Sequence, residues 1–99
     1  MDNLSFDNRV GFIWYNGNLI EWKNANVHVL NHGLHYASCV FEGERAYRGK
    51  IFETEKHTER LFNSARSLDM EIPFTQKEII DAKDILLEKN SFLDAYVRP

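Results

Sequence analysis

The chain has one cysteine, two prolines and five glycines among 99 residues. One cysteine cannot form an internal disulfide, which favours a reducing compartment such as the cytoplasm. The apolar runs are far shorter than the roughly 18 residues that suggest a membrane span. The first ten residues lack the basic and apolar regions of a signal peptide. We therefore expect a soluble, folded, cytoplasmic protein with no membrane partner.

The chain also has no excess of basic charge. Twelve Lys and Arg face 15 Asp and Glu, and the basic residues are scattered, which argues against binding to nucleic acid. The length fits one small domain and excludes a two-domain active site. A domain of this size buries only roughly 60–65% of its unfolded surface, so an exposed apolar patch covered by a partner is expected.

Turn signals and periodicity predict one domain over residues 12–99, preceded by a loose arm at residues 1–11. Asn16-Gly17 separates two β-favouring runs and can adopt the positive φ angles of a type I′ turn, which predicts a hairpin. Residues 25–30 favour another short strand. Residues 31–38, rich in histidine and small side chains, favour a loop that can include a helical turn.

A second hairpin is predicted from residue 39 to residue 53, with its turn at residues 48–50. Alternation along residues 39–47 places Phe41, Gly43, Arg45 and Tyr47 on one face and Glu44 on the other. Near the end of the chain, residues 92–99 read as a strand with Tyr96 and Arg98 on one face.

Two helices are predicted between the second hairpin and the last strand. The first is capped by Thr54 and ends near Asp69. The second opens at the capping box Thr75–Glu78, buries a stripe, and stops at residues 90–91. The predicted stripe consists of Ile79, Ala82, Ile85 and Leu86. The fold class is therefore α+β, with an antiparallel sheet of hairpins covered by two helices.

Three candidates could carry chemistry, and each also has an ordinary structural interpretation. His28, His32, His35 and Cys39 have helical spacing, but an extended segment and Gly33 interrupt them, so packing histidines are favoured over a metal site. The face with Phe41, Gly43, Arg45 and Tyr47 is either a half-buried sheet surface or a pocket floor, in which the missing side chain of Gly43 leaves room for a small ligand. Arg60 is either paired with Glu53, Glu55 or Glu59 or is a phosphate ligand.

The blocks HGLHY, FEGERAY, ERLFNSA and AYVRP occur in the order seen in one enzyme family. Over residues 13–99 the chain resembles the small N-terminal domain of branched-chain amino acid aminotransferases of fold-type IV. The resemblance implies pyridoxal 5'-phosphate as cofactor and amino-group transfer between Leu, Ile or Val and 2-oxoglutarate. It also implies a homo-oligomer whose ligands are a small amino acid and a 2-oxo acid.

The same resemblance assigns roles to individual positions. Arg60 matches the arginine that holds the cofactor phosphate. Tyr96 and Arg98 match a pair that contacts substrate carboxylates, and Tyr36 matches a pocket tyrosine donated across a dimer interface. The implied substrate-binding residues are Tyr36, Phe41, Gly43, Arg45, Tyr96 and Arg98. Glu44 replaces an aliphatic residue common in the family, and alternation points it away from that pocket.

In the family that the chain resembles, the lysine that forms an imine with the cofactor lies in a second, C-terminal domain. Six lysines occur here, at positions 23, 50, 56, 77, 83 and 89, and their context places them at turns, helix surfaces or polar segments. We expect the chain to be a truncated or split part that is inactive alone and needs that domain. The alternatives are a non-catalytic remnant or interaction domain, or part of a D-amino acid aminotransferase or aminodeoxychorismate lyase.

Overall fold

The computed structural model describes residues 6–99, so part of the predicted N-terminal arm lies outside the described residues. The described chain is α+β with antiparallel strands, as predicted, and its strands fall into two sheets. The strands are β1 (Phe12–Tyr15), β2 (Asn18–Glu21), β3 (Glu44–Tyr47), β4 (Lys50–Ile51) and β5 (Ala95–Val97). The helices are α1 (His32–Tyr36), α2 (Thr54–Ser67) and α3 (Gln76–Asn90), with a 3-10 turn at Trp22–Asn24.

Both predicted hairpins are confirmed. Strands β1 and β2 form a two-stranded sheet, and the order of the second sheet is β4-β3-β5. Asn16 and Gly17 have φ angles of 50° and 93°, and Arg48 and Gly49 have φ angles of 53° and 82°. Two consecutive positive φ angles twist a two-residue turn in the same sense as the flanking strands, so each turn closes its hairpin.

The predicted strand at residues 25–30 is wrong. These residues lie outside the strands and helices and lead into α1. The Nδ1 atom of His28 accepts a hydrogen bond from the backbone N–H of Leu30 at 3.0 Å. A side chain that binds the nearby backbone in this way offers it an alternative to strand pairing.

The predicted alternation along the second hairpin is confirmed, although β3 begins only at Glu44. Glu42, Glu44 and Ala46 are buried, whereas Phe41, Arg45 and Tyr47 are exposed. Strand β5 follows the same rule, with Val97 buried and Tyr96 exposed. The core cluster of Ala46, Val97 and Leu87 therefore lies between the three-stranded sheet and α3.

The predicted cap of α2 is wrong, and its end is near the predicted one. The N-cap residue is Glu53, whose φ of 56° is left-handed and whose side chain makes no capping hydrogen bond. The Oγ1 atom of Thr54 instead accepts a hydrogen bond from Lys83 Nζ at 3.2 Å. A hydroxyl engaged by a partner on α3 serves tertiary packing, which the local sequence does not reveal.

The predicted capping box and end of α3 are confirmed, and one residue of its stripe is wrong. Thr75 and Glu78 form both hydrogen bonds of the box, and Ser91 ends the helix in a left-handed conformation. Ile85 is 48% exposed, whereas Leu87 is buried in the core. Ile79, Lys83 and Leu87 recur every four residues on the buried side, so this row faces the sheet and α2.

We expect the substitution Thr75→Ala to lower the free energy of unfolding by about 1 kcal/mol. The variant loses the side-chain acceptor for the backbone N–H of Glu78, which lies 3.1 Å from Thr75 Oγ1. Urea unfolding followed by circular dichroism would measure the change. The matched substitution Thr75→Ser keeps the hydroxyl and should stay near the starting stability; an equal loss in both variants would contradict the capping role.

Within residues 6–99, no helix has both the length and the apolar character needed to cross a membrane.

Candidate functional site

Pairing of β3 with β5 builds one exposed surface from two distant parts of the sequence. Arg45 lies opposite Tyr96 in the antiparallel register. Beyond the ladder, the backbone N–H of Glu42 donates to the carbonyl of Pro99 at 3.1 Å, which keeps the two segments side by side. The residues that share this surface are Phe41, Gly43, Arg45, Tyr96 and Arg98, and we call it the Arg98 face.

Tyr96 lies directly over Gly43 on this face. A Cβ atom at Gly43 would be 2.8 Å from Tyr96 Oη and 3.2 Å from Tyr96 Cε1. Sequence reasoning treated the missing side chain as room for a small ligand. In the structure the phenol of Tyr96 takes that room, so Gly43 shapes the site by admitting the tyrosine ring.

Arg98 is held on this face from two sides. Its Nε–H donates to Tyr96 Oη at 2.9 Å, and its guanidinium carbon lies 4.2 Å from the ring centroid of Phe41. A guanidinium has five N–H groups, so a single bond to Tyr96 leaves four for other acceptors. Both terminal nitrogens thus retain their hydrogens for a carboxylate, the anion that matches this planar fork.

The remaining two predicted substrate residues lie in different surroundings. Arg45 is exposed on β3 beside Tyr96. Tyr36 is exposed on α1, where its ring lies 4.7 Å from that of His32 and 6.4 Å from that of His35. The structure therefore brings Phe41, Gly43, Tyr96 and Arg98 into mutual proximity and places Tyr36 on a separate element.

The histidine-rich segment makes hydrogen bonds of its own. His35 Nε2 lies 2.7 Å from the carbonyl oxygen of Val29, and His28 binds the backbone of Leu30. Among residues 6–99, no three His, Cys, Asp or Glu side chains are placed to hold a metal ion together.

Arg60 pairs with a buried carboxylate on the reverse side of the same strand segment. Its Nε and Nη2 atoms donate to Glu42 at 2.7 Å and 2.8 Å. Glu42 is 4% exposed and also contacts His57 Nδ1 at 2.7 Å. The buried partner of Arg60 is therefore none of the three acidic residues proposed from the sequence, Glu53, Glu55 and Glu59. Glu42 instead reaches α2 from the segment that precedes β3.

These contacts determine the charge of the Glu42 carboxyl. The hydrogen bond from Arg60 is the main reason that its pKa falls from 4.5 to about 2. Burial acts in the opposite direction, and the hydrogen bond from His57 adds to the lowering. The carboxylate in turn raises the pKa of Arg60. Glu42 is therefore an anion over the whole neutral range, and Arg60 is a cation.

We expect Glu42 to make stability fall with acidification. Because its pKa is lower in the folded chain, its contribution is fully present above pH 4.5 and is lost as pH falls toward 2. Urea unfolding across this range should show a shallower acid loss in Glu42→Gln than in the original chain. The control Glu88→Gln changes an exposed carboxylate on α3 and should keep the steep loss. Equal slopes in all three proteins would contradict the assignment.

The residues partly fit a pyridoxal phosphate site. Arg60 suits the phosphate, since its side chain is 68% exposed and Glu42 engages only two of its N–H groups. The sequence-based placement of the lysines is wrong for Lys83, which is 4% exposed. Its Nζ lies 2.7 Å from Glu44 Oε2 and 2.7 Å from Thr58 Oγ1. Such an enclosed ammonium cannot form an imine with an aldehyde, and the other five lysines are exposed.

Sequence reasoning missed the partnership of Glu42 with Arg60. The only available signal was the spacing of three residues between His57 and Arg60, which places both on one face of a helix. Nothing local pointed to Glu42, which lies 15 and 18 residues before them.

A known protein family matches the part of the chain that contains the Arg98 face, Glu42 and Arg60. The family model described as amino-transferase class IV matches residues 39–99. A probable branched-chain-amino-acid aminotransferase of Rickettsia bellii is 50% identical over 93 residues, which cover 94% of this chain and 32% of that protein. The branched-chain-amino-acid aminotransferase of Pseudomonas aeruginosa is 45% identical, over 97% of this chain and 33% of that protein.

Solved structures show the same relationship. Escherichia coli branched-chain amino acid aminotransferase matches with a TM-score of 0.87 and 34% identity, over 91% of this chain and 31% of that one. The Thermobaculum terrenum branched-chain amino acid aminotransferase, solved in its PLP-form, matches with a TM-score of 0.79 and 31% identity, over 90% of this chain and 31% of that one. The chain thus spans about a third of the length of these relatives.

Proposed function

Because the chain belongs to the class IV aminotransferase family, we propose that it forms the substrate- and phosphate-binding part of a branched-chain amino acid aminotransferase. The reaction transfers an amino group between Leu, Ile or Val and 2-oxoglutarate. The observation that carries the proposal is the convergence of Phe41, Tyr96 and Arg98 on one face, with the Glu42–Arg60 pair directly behind it. Arg98 is thus available to bind a carboxylate, and Arg60 is available to bind a phosphate.

The Arg98 face supplies the groups that substrates of this class need. Arg98 receives a substrate carboxylate through its terminal N–H groups, and the Tyr96 hydroxyl orients the guanidinium. The ring of Phe41 is 58% exposed and offers an apolar surface to an aliphatic side chain. Gly43, Arg45 and Tyr36 complete the proposed binding set. A common carboxylate site accepts both amino acid and 2-oxo acid, because both carry that group.

Arg60 is the proposed ligand of the phosphate of pyridoxal 5'-phosphate. When bound, this cofactor supplies an aldehyde that accepts the amino group and a ring that accepts electrons. The contribution of Arg60 is to hold the phosphate while Glu42 keeps the guanidinium in place. The amine that carries the aldehyde and moves the proton comes from outside these 99 residues, since the enclosed Lys83 cannot do so.

The proposal therefore includes a larger assembly. Residues 12–99 act as the small domain, residues 1–11 as an arm, and a second domain carries the lysine, either in the same polypeptide or in a separate chain. These residues alone should not catalyse the reaction. Exposed apolar side chains around α1, including Leu30, Leu34 and Tyr36, support a homo-oligomer in which this segment is covered. The cytoplasm is the expected compartment.

A chimera tests the proposal. In it, this chain replaces the matching third of the Pseudomonas aeruginosa relative, to which it is 45% identical. We expect transfer from leucine to 2-oxoglutarate in the chimera and none from the 99 residues alone. A folded chimera that binds pyridoxal phosphate yet does not transfer from leucine, isoleucine or valine would overturn the assignment. Preferential transfer from D-alanine would favour the D-amino acid alternative.

A further inference from the structure

The contacts behind the Arg98 face assign a role to two residues that carry no ligand contact of their own. We infer that Glu42 and His57 are positioning residues that hold the Arg60 guanidinium in a fixed orientation for a phosphate ligand. The inference rests on the proposed function for the identity of the ligand, but the geometry of the three residues stands independently of it.

Without a partner, the Arg60 side chain would be mobile. Its side chain is 68% exposed, and an arginine of this kind samples many rotamers in water. Two hydrogen bonds to one carboxylate, at 2.7 Å and 2.8 Å, fix both the place and the plane of the guanidinium. Three N–H groups stay available on the solvent side, so the arginine is ordered without being used up.

Glu42 is itself held in place. Its side chain is 4% exposed, and its backbone N–H is bonded to Pro99 at the edge of the sheet. His57 Nδ1 contacts Oε1 at 2.7 Å, the same oxygen that accepts from Arg60 Nη2. A carboxylate with several donors in a buried position keeps one orientation, and it ties α2 to the strand segment.

The backbone around Glu42 links the two proposed ligand sites. Glu42 lies between Phe41 and Gly43 in the chain, and alternation points its side chain to the opposite side of the backbone. The carboxylate that holds Arg60 and two residues of the Arg98 face, Phe41 and Gly43, therefore belong to one backbone segment. This connection would help to fix the distance between a phosphate held by Arg60 and a carboxylate held by Arg98.

Positioning and simple electrostatics predict opposite results for Glu42→Gln. If Glu42 acted only through its charge, removing a negative group beside Arg60 would strengthen the binding of an anion. If Glu42 positions Arg60, the weaker contact with the glutamine amide leaves the Arg60 side chain mobile. Binding of the phosphate must then restrict the rotamers of Arg60, which costs affinity. We therefore expect the pyridoxal phosphate dissociation constant of the chimera to rise about three- to tenfold in Glu42→Gln.

The NMR signal of the Arg60 Nε–H group tests the positioning without any cofactor or activity. In the 99-residue chain labelled with 15N-arginine, we expect the Arg60 Nε–H signal to be dispersed and to exchange slowly with water. In Glu42→Gln this signal should become averaged, and in His57→Leu it should do so to a smaller extent. The conservative His57→Gln keeps a donor and should restore the signal. Arg66, exposed at the end of α2, is the internal control. Circular dichroism establishes that each variant is folded.

Each outcome separates the inference from the proposed function. An Arg60 signal that is unchanged in folded Glu42→Gln would overturn the positioning role. So would unchanged or tighter pyridoxal phosphate binding by the Glu42→Gln chimera when Arg60→Gln weakens that binding. Unchanged pyridoxal phosphate affinity in Arg60→Gln would instead refute the phosphate assignment under the proposed function, whatever the NMR signal does. A lost Arg60 signal together with weakened binding supports both.

Discussion

Replacing Glu44 by leucine should lower the free energy of unfolding of the 99-residue chain by about 3–5 kcal/mol. The substitution leaves the Lys83 ammonium buried with no opposite charge, and a domain of this size is stable by only about 5–15 kcal/mol. Adding Lys83→Met removes the stranded charge. The double variant should recover to within about 1 kcal/mol of the starting stability or exceed it.

The environment of the pair explains why the two substitutions are strongly coupled. The Glu44 side chain is fully buried, Lys83 is 4% exposed, and their charged atoms lie 2.7 Å apart. Thr58 and Thr54 accept hydrogen bonds from Lys83, but neither Glu44 oxygen has a well-aligned hydrogen bond within the described residues. Removal of water from the carboxylate is thus offset mainly by the charge of its partner, a balance that an apolar pair can equal.

Guanidinium unfolding of the four proteins in this cycle measures the coupling. The matched control is Lys77→Met, which removes an exposed lysine paired with Asp81 on the same helix and should change little. If the effects of Glu44→Leu and Lys83→Met simply add in the double variant, the two groups do not act as a pair and the explanation is wrong.

The substitution Arg98→Gln should reduce kcat/KM of the active chimera for leucine by about 30- to 1,000-fold. Glutamine cannot present two parallel charged N–H groups to a carboxylate, and it loses the stacking on Phe41. The same variant should be impaired with 2-oxoglutarate, because under the proposed function both substrates bind this arginine through a carboxylate. Arg98→Lys retains the charge without the planar fork, so its loss should be smaller.

Steady-state kinetics with both substrates measure this effect. Arg66→Gln is the control, since it removes an exposed arginine from α2 at a distance in sequence from the Arg98 face and should leave both kcat/KM values near those of the chimera. Comparable kinetics for Arg98→Gln and Arg66→Gln would rule out Arg98 as the carboxylate ligand. A loss with only one substrate would assign Arg98 to that substrate alone.

Much of the local structure follows from residue order. Asn16-Gly17 predicts its turn because few other pairs adopt two positive φ angles, and Thr75 with Glu78 predicts a helix start because their side chains bond reciprocally. Strand alternation places Phe41 and Gly43 on one side of the backbone. The same reasoning failed at residues 25–30, where the His28 ring accepts a backbone hydrogen bond and a loop replaces the expected strand.

The candidate site likewise combines a feature that residue order predicts with a contact that only the fold shows. Arg98 and Tyr96 were predicted to share a face because two residues apart in a strand they point the same way. The position of Tyr96 over Gly43 depends on the pairing of β3 with β5, which joins residues from opposite ends of the domain. No spacing within either segment indicates that contact, so the expected ligand space over Gly43 could be corrected only from the fold.

Residue order was enough for the α+β class, both hairpin turns, the capping box and the division of residues 39–47 between two faces. The tertiary structure alone decided which cations the carboxylates of Glu42 and Glu44 meet. Arg60 and Lys83 lie on two different helices, and the packing of those helices against the sheet sets the pairs. Local rules act over one turn or one strand, whereas a buried charge selects its partner through contacts between distant elements.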